Sequence, residues 1–238
     1  MTGGRIVAPR VWTTVLGSTV LGTTVLGTTV LGTTGLVLAG LSAPALAHPH
    51  VWVAAREEIL FDPQGEITAI RHIWTFDEMY SAFAVQGLGK DGKPPTREEM
   101  APLAKTNVES LAEFQYFTAA KTGPKYHEFG EPTDYWLETD ANKIVTLRFT
   151  LPLKNPVSAR KPFTFMVYDP TYFVDIELEK QDPVVLKNAP SGCSMSTIKP
   201  EPLTGSDQSK LSESYLSGLA PGQDFGIKLA TRTLLACP

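Results

Sequence analysis

The first regular pattern after residue 50 is a pair of apolar runs separated by a turn signal. Val51–Phe61 is rich in branched and aromatic residues and stops at residues 62–65 (DPQG), and Glu66–Phe76 then alternates apolar and polar positions. Proline and glycine between two such runs predict a β-hairpin. The start of one strand lies beside the end of the other in an antiparallel hairpin, so we expect Asp77 near the start of the first strand.

A helical pattern follows at residues 96–121. It opens with the helix-start signature TREE at 96–99 and continues with apolar residues at mostly three- and four-residue spacing, namely Leu103, Val108, Leu111, Phe114 and Phe117. We expect one amphipathic helix here that packs on the sheet. Between the hairpin and this helix, residues 87–95 are rich in glycine, lysine and proline and predict a surface loop.

The rest of the chain again has strand character. Short runs of branched and aromatic residues predict strands at 126–129, 135–139, 143–153, 163–168 and 172–178. Residues 191–209 predict an irregular connector, and a short helix within 211–219 and a last strand toward Cys237 follow it. The predicted fold class is α+β, a mainly antiparallel β-sandwich-like domain with one long and one short helical insertion.

The first 47 residues differ from the rest in composition. Arg5 and Arg10 form a basic start, residues 11–47 contain no charged side chain, and the segment ends in the small-x-small triplet ALA at 45–47. These features predict a signal peptide at 1–47 and a single periplasmic domain at 48–238, with no membrane span after cleavage. The uncharged run is also long enough to cross a bilayer, so an uncleaved anchor is the alternative interpretation, which its many threonines and glycines disfavour.

Removal of the leader changes the charge balance and leaves both cysteines. The leader carries two of the 21 basic residues and none of the 25 acidic ones, so 19 basic residues remain and the formal charge is −6. This charge argues against nucleic acid as a partner. Cys193 and Cys237 are an even number in a chain bound for an oxidising compartment, which predicts a disulfide; a thiolate metal pair is the less favoured alternative.

The chain start that cleavage would create is rich in metal-binding nitrogens. His48 and His50 are two of only four histidines, and a free α-amine would lie at His48. Imidazole and amine nitrogens are ligands for zinc, nickel, cobalt and copper. Pro49 lacks the N–H that a square-planar amino-terminal copper or nickel motif deprotonates, so other side chains must complete the site. The alternative is a flexible polar terminus whose histidines are incidental.

Carboxylates among aromatic residues are the best candidates to complete such a site. Asp77 follows the segment WTF at 74–76, and Asp169 and Asp175 lie in YDPTYFVD at 168–175. A carboxylate in such surroundings needs a cation, a donor or a metal nearby. The predicted ligands of zinc, or alternatively of nickel or cobalt, are His48, His50, Asp77 and Asp169. For Asp169 a turn aspartate that accepts backbone N–H groups is an equal alternative.

Catalytic sequence patterns are missing from the chain. The sequence contains no phosphate-binding glycine loop, no H-E-x-x-H and no G-x-S-x-G, so we expect a protein that is not an enzyme. One alternative is a copper enzyme in which the terminal histidine chelates the metal and His72 or His127 completes a redox centre. His72 shares a strand face with Trp74 and Phe76, which favours a core or surface role instead. Another alternative is a metal-independent interaction module of a transporter.

Three segments in this order carry a family resemblance: HPHVWV at 48–53, WTFDEM at 74–79 and YDPTYFVD at 168–175. Together they resemble a bacterial family of uncharacterised ABC-type transport system periplasmic components, over nearly the whole chain after the leader. Members of that family are associated with nickel/cobalt-type permeases and with zinc acquisition. The resemblance therefore implies a periplasmic protein that binds a divalent metal ion and delivers or buffers it for a membrane metal permease.

Overall fold

Two β-sheets form the fold of residues 49–219 and 223–238, the part of the chain that this computed structural model describes. The first sheet contains β1 (Val51–Phe61), β2 (Glu66–Phe76), β5 (Thr133–Thr139), β6 (Val145–Ser158), β8 (Val174–Leu178) and β9 (Val184–Lys187). The second contains β3 (Thr118–Thr122), β4 (Lys125–Tyr126), β7 (Phe163–Val167), β10 (Ser194–Ile198) and β11 (Arg232–Ala236). The helices are α1 (Glu78–Ala84), α2 (Arg97–Leu111), α3 (Gly205–Gln208) and α4 (Glu213–Leu216), with 3₁₀ turns at Ala112–Phe117 and Gly226–Lys228.

The strand order makes the architecture mainly antiparallel. The first sheet runs β5-β6-β2-β1-β8, with β9 also paired to β1, and the second runs β10-β11-β7-β3-β4. Among the described strands, only β8 and β9 lie parallel to their partner, which is β1 in both cases. One apolar core includes buried residues of both sheets and of α2. The predicted α+β, sandwich-like fold class is therefore confirmed.

The predicted hairpin is the central pair of the first sheet. Strands β1 and β2 pair antiparallel from Val53 opposite Phe76 to Ile59 opposite Ile70, with an irregularity near the turn. In the turn, one carboxylate oxygen of Asp62 accepts hydrogen bonds from two backbone N–H groups at 2.9 Å each. Gly65 has a φ of 79°, and a Cβ there would lie 2.9 Å from a Pro190 side-chain carbon. The proline and glycine of this segment therefore predicted the turn correctly.

Helix α2 begins as predicted but ends ten residues earlier than expected. The Thr96 side chain accepts from the Glu99 N–H, and the Glu99 carboxylate accepts from the Thr96 N–H, which is a capping box. The prediction of a helix to residue 121 was wrong, because residues 115–117 have positive φ angles and Thr118–Thr122 is a strand. That strand pairs antiparallel with β7. The spacing of Phe114 and Phe117 fits a helix. The backbone N–H and C=O groups of the residues that follow form hydrogen bonds with β7 instead.

The C-terminal part contains more regular structure than the sequence predicts. The connector prediction for residues 191–209 was wrong at β10, which pairs with β11, and at α3. The expected short helix is present as α4, and the last strand is β11. The predicted disulfide between Cys193 and Cys237 is confirmed, and it links the residue before β10 to the residue after β11. The described residues contain no helix with the length and apolar character needed to cross a membrane.

A buried ionisable pair lies in the first sheet and contacts the second through Thr118. Glu57 of β1 and His72 of β2 are fully buried, and Glu57 Oε2 lies 2.6 Å from His72 Nδ1. The other oxygen of Glu57 accepts from the Trp74 indole N–H at 3.2 Å, and His72 Nε2 lies 3.5 Å from the Thr118 hydroxyl of β3. The two close atoms make no hydrogen bond of good geometry within the described residues, so the contact is primarily electrostatic. His72 is thus a core residue, as its strand face indicates.

Removing one member of this pair should destabilise the protein strongly. We expect His72→Leu to lower the free energy of unfolding by about 3 to 5 kcal/mol, because it leaves the Glu57 carboxylate buried without its imidazole partner. The double variant Glu57→Leu/His72→Leu should recover much of that loss, because it removes both polar groups. Urea denaturation followed by tryptophan fluorescence measures both changes.

The exposed ion pair of Lys154 with Glu128, whose atoms lie 2.8 Å apart, provides the control. Lys154→Leu should leave the urea midpoint nearly unchanged, since surface pairs contribute little. Equal destabilisation of the single and double core variants would contradict an electrostatic role for the pair.

Candidate functional site

Asp77 fixes the open end of the hairpin. Its N–H donates to the Trp52 carbonyl at 3.0 Å, and its Oδ2 accepts from the Trp52 N–H at 2.9 Å. Its Oδ1 accepts from the Tyr80 N–H at 2.8 Å, so the same side chain caps α1. The predicted position of Asp77 beside the start of β1 is confirmed. Asp77 is thus hydrogen-bonded to the backbone of Trp52, which lies only two positions after His50.

Strand β8 and the residue before it hold the other side of the backbone at His50 and Val51. The His50 N–H donates to the Phe173 carbonyl at 2.9 Å, and Val51 pairs with Val174 in the parallel ladder. The rings of His50 and Phe173 lie 4.7 Å apart between centroids. His50 therefore lies against the segment that contains Asp169 and Asp175, two positions before the residue that is hydrogen-bonded to Asp77.

Asp169 organises the turn that leads into β8. Its side chain is buried, Oδ1 accepts from the N–H and the hydroxyl of Thr171 at 2.8 Å each, and Oδ2 accepts from the Val174 N–H at 2.9 Å. These contacts match the turn role that the sequence offered as an alternative to metal ligation. At Gly226 a Cβ would lie 1.8 Å from the Asp169 carbonyl oxygen, so only glycine fits against this turn.

Asp175 is the carboxylate that sequence reasoning did not select. It lies opposite Trp52 in the parallel ladder, is half-buried, and accepts a hydrogen bond from the Tyr172 hydroxyl at 3.3 Å. Burial and the nearby Glu177 raise the pKa of Asp175 above its ordinary value, against the opposing effect of the Tyr172 hydroxyl. Burial and Asp175 also raise the pKa of Tyr172 to about 12. Pairing with Trp52 joins distant parts of the chain, so no local sequence pattern predicts it.

The structure brings three of the four predicted ligands to one end of the first sheet. His50 lies there with Asp77 and Asp169, whereas His48 is outside the described residues. Among residues 49–219 and 223–238, no three histidine, cysteine or acidic side chains form a ready-made metal cluster. His127 belongs to the segment after β4, where its Nε2 lies 2.9 Å from the Thr122 hydroxyl. Any complete ligand set at this end would thus need the residues before Pro49.

An apolar pocket of about 310 Å³ lies beside the start of β1. Its lining includes Val51 and Trp74 of the hairpin, Phe173, and Phe117 from the 3₁₀ turn after α2. Trp74 uses its indole N–H for Glu57, so only its apolar ring remains available to the pocket. Apolar surroundings lower the local dielectric constant, which strengthens the interaction of any nearby carboxylate with a cation.

Replacing Asp175 by asparagine should stabilise the metal-free protein near neutral pH. The raised pKa means that the ionised form of Asp175 is less favourable in the folded state than in the unfolded chain. Stability is therefore lost as the pH rises above the ordinary value of 3.8 through the folded-state pKa. We expect Asp175→Asn to unfold at a higher urea concentration than wild type at about pH 7 in chelator, and the difference to vanish near pH 3.

Glu177→Gln is the matched variant for this prediction. It removes the neighbouring charge but leaves Asp175 buried, so its gain should be smaller than that of Asp175→Asn, because burial is the larger cause of the shift. Lower stability of Asp175→Asn near neutral pH would contradict the assigned electrostatics.

Comparison with known proteins places the chain in a family. A protein of Spirochaeta aurantia named "Uncharacterized 15.5 kDa protein in trpE 3'region" is 32% identical over 105 residues, which cover 44% of this chain and 74% of that protein. A Haemophilus influenzae protein named "Uncharacterized protein" is 21% identical over 198 residues, 81% of this chain and 92% of that protein. Neither name mentions a metal or a transporter, so the ABC-type association stays a prediction. The family described as "Protein of unknown function (DUF1007)" matches residues 33–237, and the chain therefore belongs to the DUF1007 family.

Proposed function

We propose that this protein is a non-enzymatic periplasmic accessory protein that binds a divalent metal ion and delivers or buffers it for a membrane metal permease. Zinc is the first candidate ion, and nickel or cobalt follows. One observation carries the proposal: the backbone from His50 to Trp52 is hydrogen-bonded to Asp77 on one side and to the segment that contains Asp169 and Asp175 on the other. Cleavage after residue 47 would thus create a nitrogen-rich terminus at the same end of the first sheet as carboxylates from distant parts of the chain.

The ligand set combines nitrogen and oxygen donors. His48 and His50 would provide two imidazoles, and cleavage after residue 47 would add an α-amine. Nitrogen and oxygen donors without thiolate suit zinc, nickel and cobalt alike, and the two cysteines are joined in a disulfide.

The three carboxylates differ in how well they suit a metal. Each oxygen of Asp77 accepts one backbone N–H and keeps a second lone pair, whereas Asp169 is buried and accepts three hydrogen bonds. Of the two predicted carboxylates, Asp77 is therefore the better candidate. Asp175, with one hydrogen bond from Tyr172, is a further candidate at the same end. A dication would also offset the unfavourable ionisation of Asp175, since an opposite charge favours the ionised form.

Replacing the two histidines should remove the proposed site. We expect His48→Ala/His50→Ala to weaken zinc affinity by at least roughly 100-fold, because loss of direct ligands should cost no less than the 10–100-fold typical of supporting residues. Isothermal titration of the processed protein measures the affinity, after mass spectrometry has established that the chain begins at His48.

His127→Ala is the matched control, because it removes one imidazole from a different part of the fold. This variant should bind zinc like the wild type. Separate Asp77→Asn and Asp175→Asn variants identify the carboxylate ligand by their loss of affinity. Unchanged zinc binding in the double histidine variant would exclude this site.

A metal-independent role in contacting a transporter is the second candidate function. On α1, directly after Asp77, the side chains of Met79 and Phe83 are 66% and 76% exposed. Residues four apart lie on one face of a helix, so the two form a small apolar surface that fits contact with another protein. Co-purification of a membrane permease in chelator, lost in Met79→Ser/Phe83→Ser, would favour this function over metal delivery.

A further inference from the structure

A second concave surface lies on the part of the molecule formed by β3, β4 and the end of β6. Its volume is about 820 Å³, within the range of small-molecule sites. We call it the basic groove and define it by the charged and aromatic residues of its lining: Lys125, Tyr126, His127, Glu128, Arg160 and Lys161. Metal ligation as proposed above uses none of these residues.

Three exposed positive charges lie in the lining of the basic groove. Lys125, Arg160 and Lys161 are exposed, and none of them forms an ion pair within residues 49–219 and 223–238. The carboxylate of the groove, Glu128, is paired with Lys154 at 2.8 Å. Three uncompensated cations therefore face one depression of a chain whose formal charge is −4.

Backbone hydrogen bonds hold the two walls of the groove together. The Lys154 N–H of β6 donates to the Glu128 carbonyl at 2.9 Å, and the His127 N–H donates to the Ala120 carbonyl of β3 at 2.9 Å. The His127 ring stacks on Phe163 with 5.9 Å between centroids. The cations are thus attached to a preformed frame, which reduces the ordering cost of binding a ligand.

We propose that the basic groove binds a phosphate group, with the Arg160 guanidinium and the ammonium groups of Lys125 and Lys161 as its cationic contacts. A guanidinium presents a planar fork that matches two oxygens of a phosphate, and a lysine adds a mobile point charge. The same phosphate chemistry belongs to soluble phosphorylated compounds and to the headgroups of anionic phospholipids.

His127 provides an internal reporter of such binding. Burial and Lys125 lower the pKa of this imidazole, and the other charged groups of the groove are Glu128, Arg160 and Lys161. A bound phosphate would add negative charge beside the ring and raise its pKa again. The shift can be followed in the imidazole NMR signals, independently of any binding isotherm.

Pyrophosphate titration of the metal-free processed protein tests the site. We expect Arg160→Gln/Lys161→Gln to weaken pyrophosphate binding by about tenfold or more, because each variant position loses a charge-assisted contact. The control Lys90→Gln/Lys93→Gln removes two exposed lysine charges from the loop at residues 87–95 and should bind within about twofold of wild type. Pyrophosphate should also raise the pKa of His127 in wild type and not in Arg160→Gln/Lys161→Gln, which we call the groove variant.

Vesicle sedimentation separates the two sources of phosphate. Binding to phosphatidylglycerol vesicles but not to phosphatidylcholine vesicles, lost in the groove variant, assigns the site to lipid headgroups. Pyrophosphate binding without vesicle binding assigns it to soluble compounds. Absence of both in wild type, or an equal loss in the loop control, overturns the proposal. The His48→Ala/His50→Ala variant should bind pyrophosphate normally, so this result is independent of the metal site.

Discussion

The position of the backbone at His50 depends on two hydrogen bonds that join Asp77 to Trp52, one from the Asp77 N–H to the Trp52 carbonyl and one from the Trp52 N–H to the Asp77 carboxylate. Together with the cap on α1, these contacts close the open end of the hairpin. Strand β1 is also the only partner of β8 and β9 among the described strands, so two of the six strands of the first sheet are placed by it. The environment of His50 follows from this one junction.

Local signals account for the parts of the fold that the sequence predicts well. The hairpin turn has proline, glycine and an aspartate that accepts backbone hydrogen bonds, and the start of α2 has both partners of a capping box. The end of α2 had no such signal. Thr118–Thr122 becomes a strand only because β7, more than forty residues later, supplies its hydrogen-bonding partner. The strand β10 likewise depends on β11 and was not predictable from its polar composition.

The candidate site shows the same division between local and distant information. The hairpin alone places Asp77 near the start of β1, and the sequence was sufficient to predict that position. The parallel pairing of β8 with β1 places Asp175 opposite Trp52. Pairing between strands that are distant in the chain cannot be predicted from a local sequence pattern. Asp169 carried an ambiguous signal, since a turn aspartate and a metal ligand both appear as a carboxylate among aromatic residues. Its three hydrogen bonds show its structural role directly.

Zinc-edge anomalous diffraction from crystals of the processed protein grown with zinc is the most direct test of the central claim. The account predicts a strong anomalous peak at the end of the first sheet, within bonding distance of the His48 and His50 imidazoles and of a carboxylate oxygen from Asp77 or one of the neighbouring aspartates. A zinc ion bound elsewhere with this end of the sheet empty, or a crystal that takes up no zinc, would contradict it.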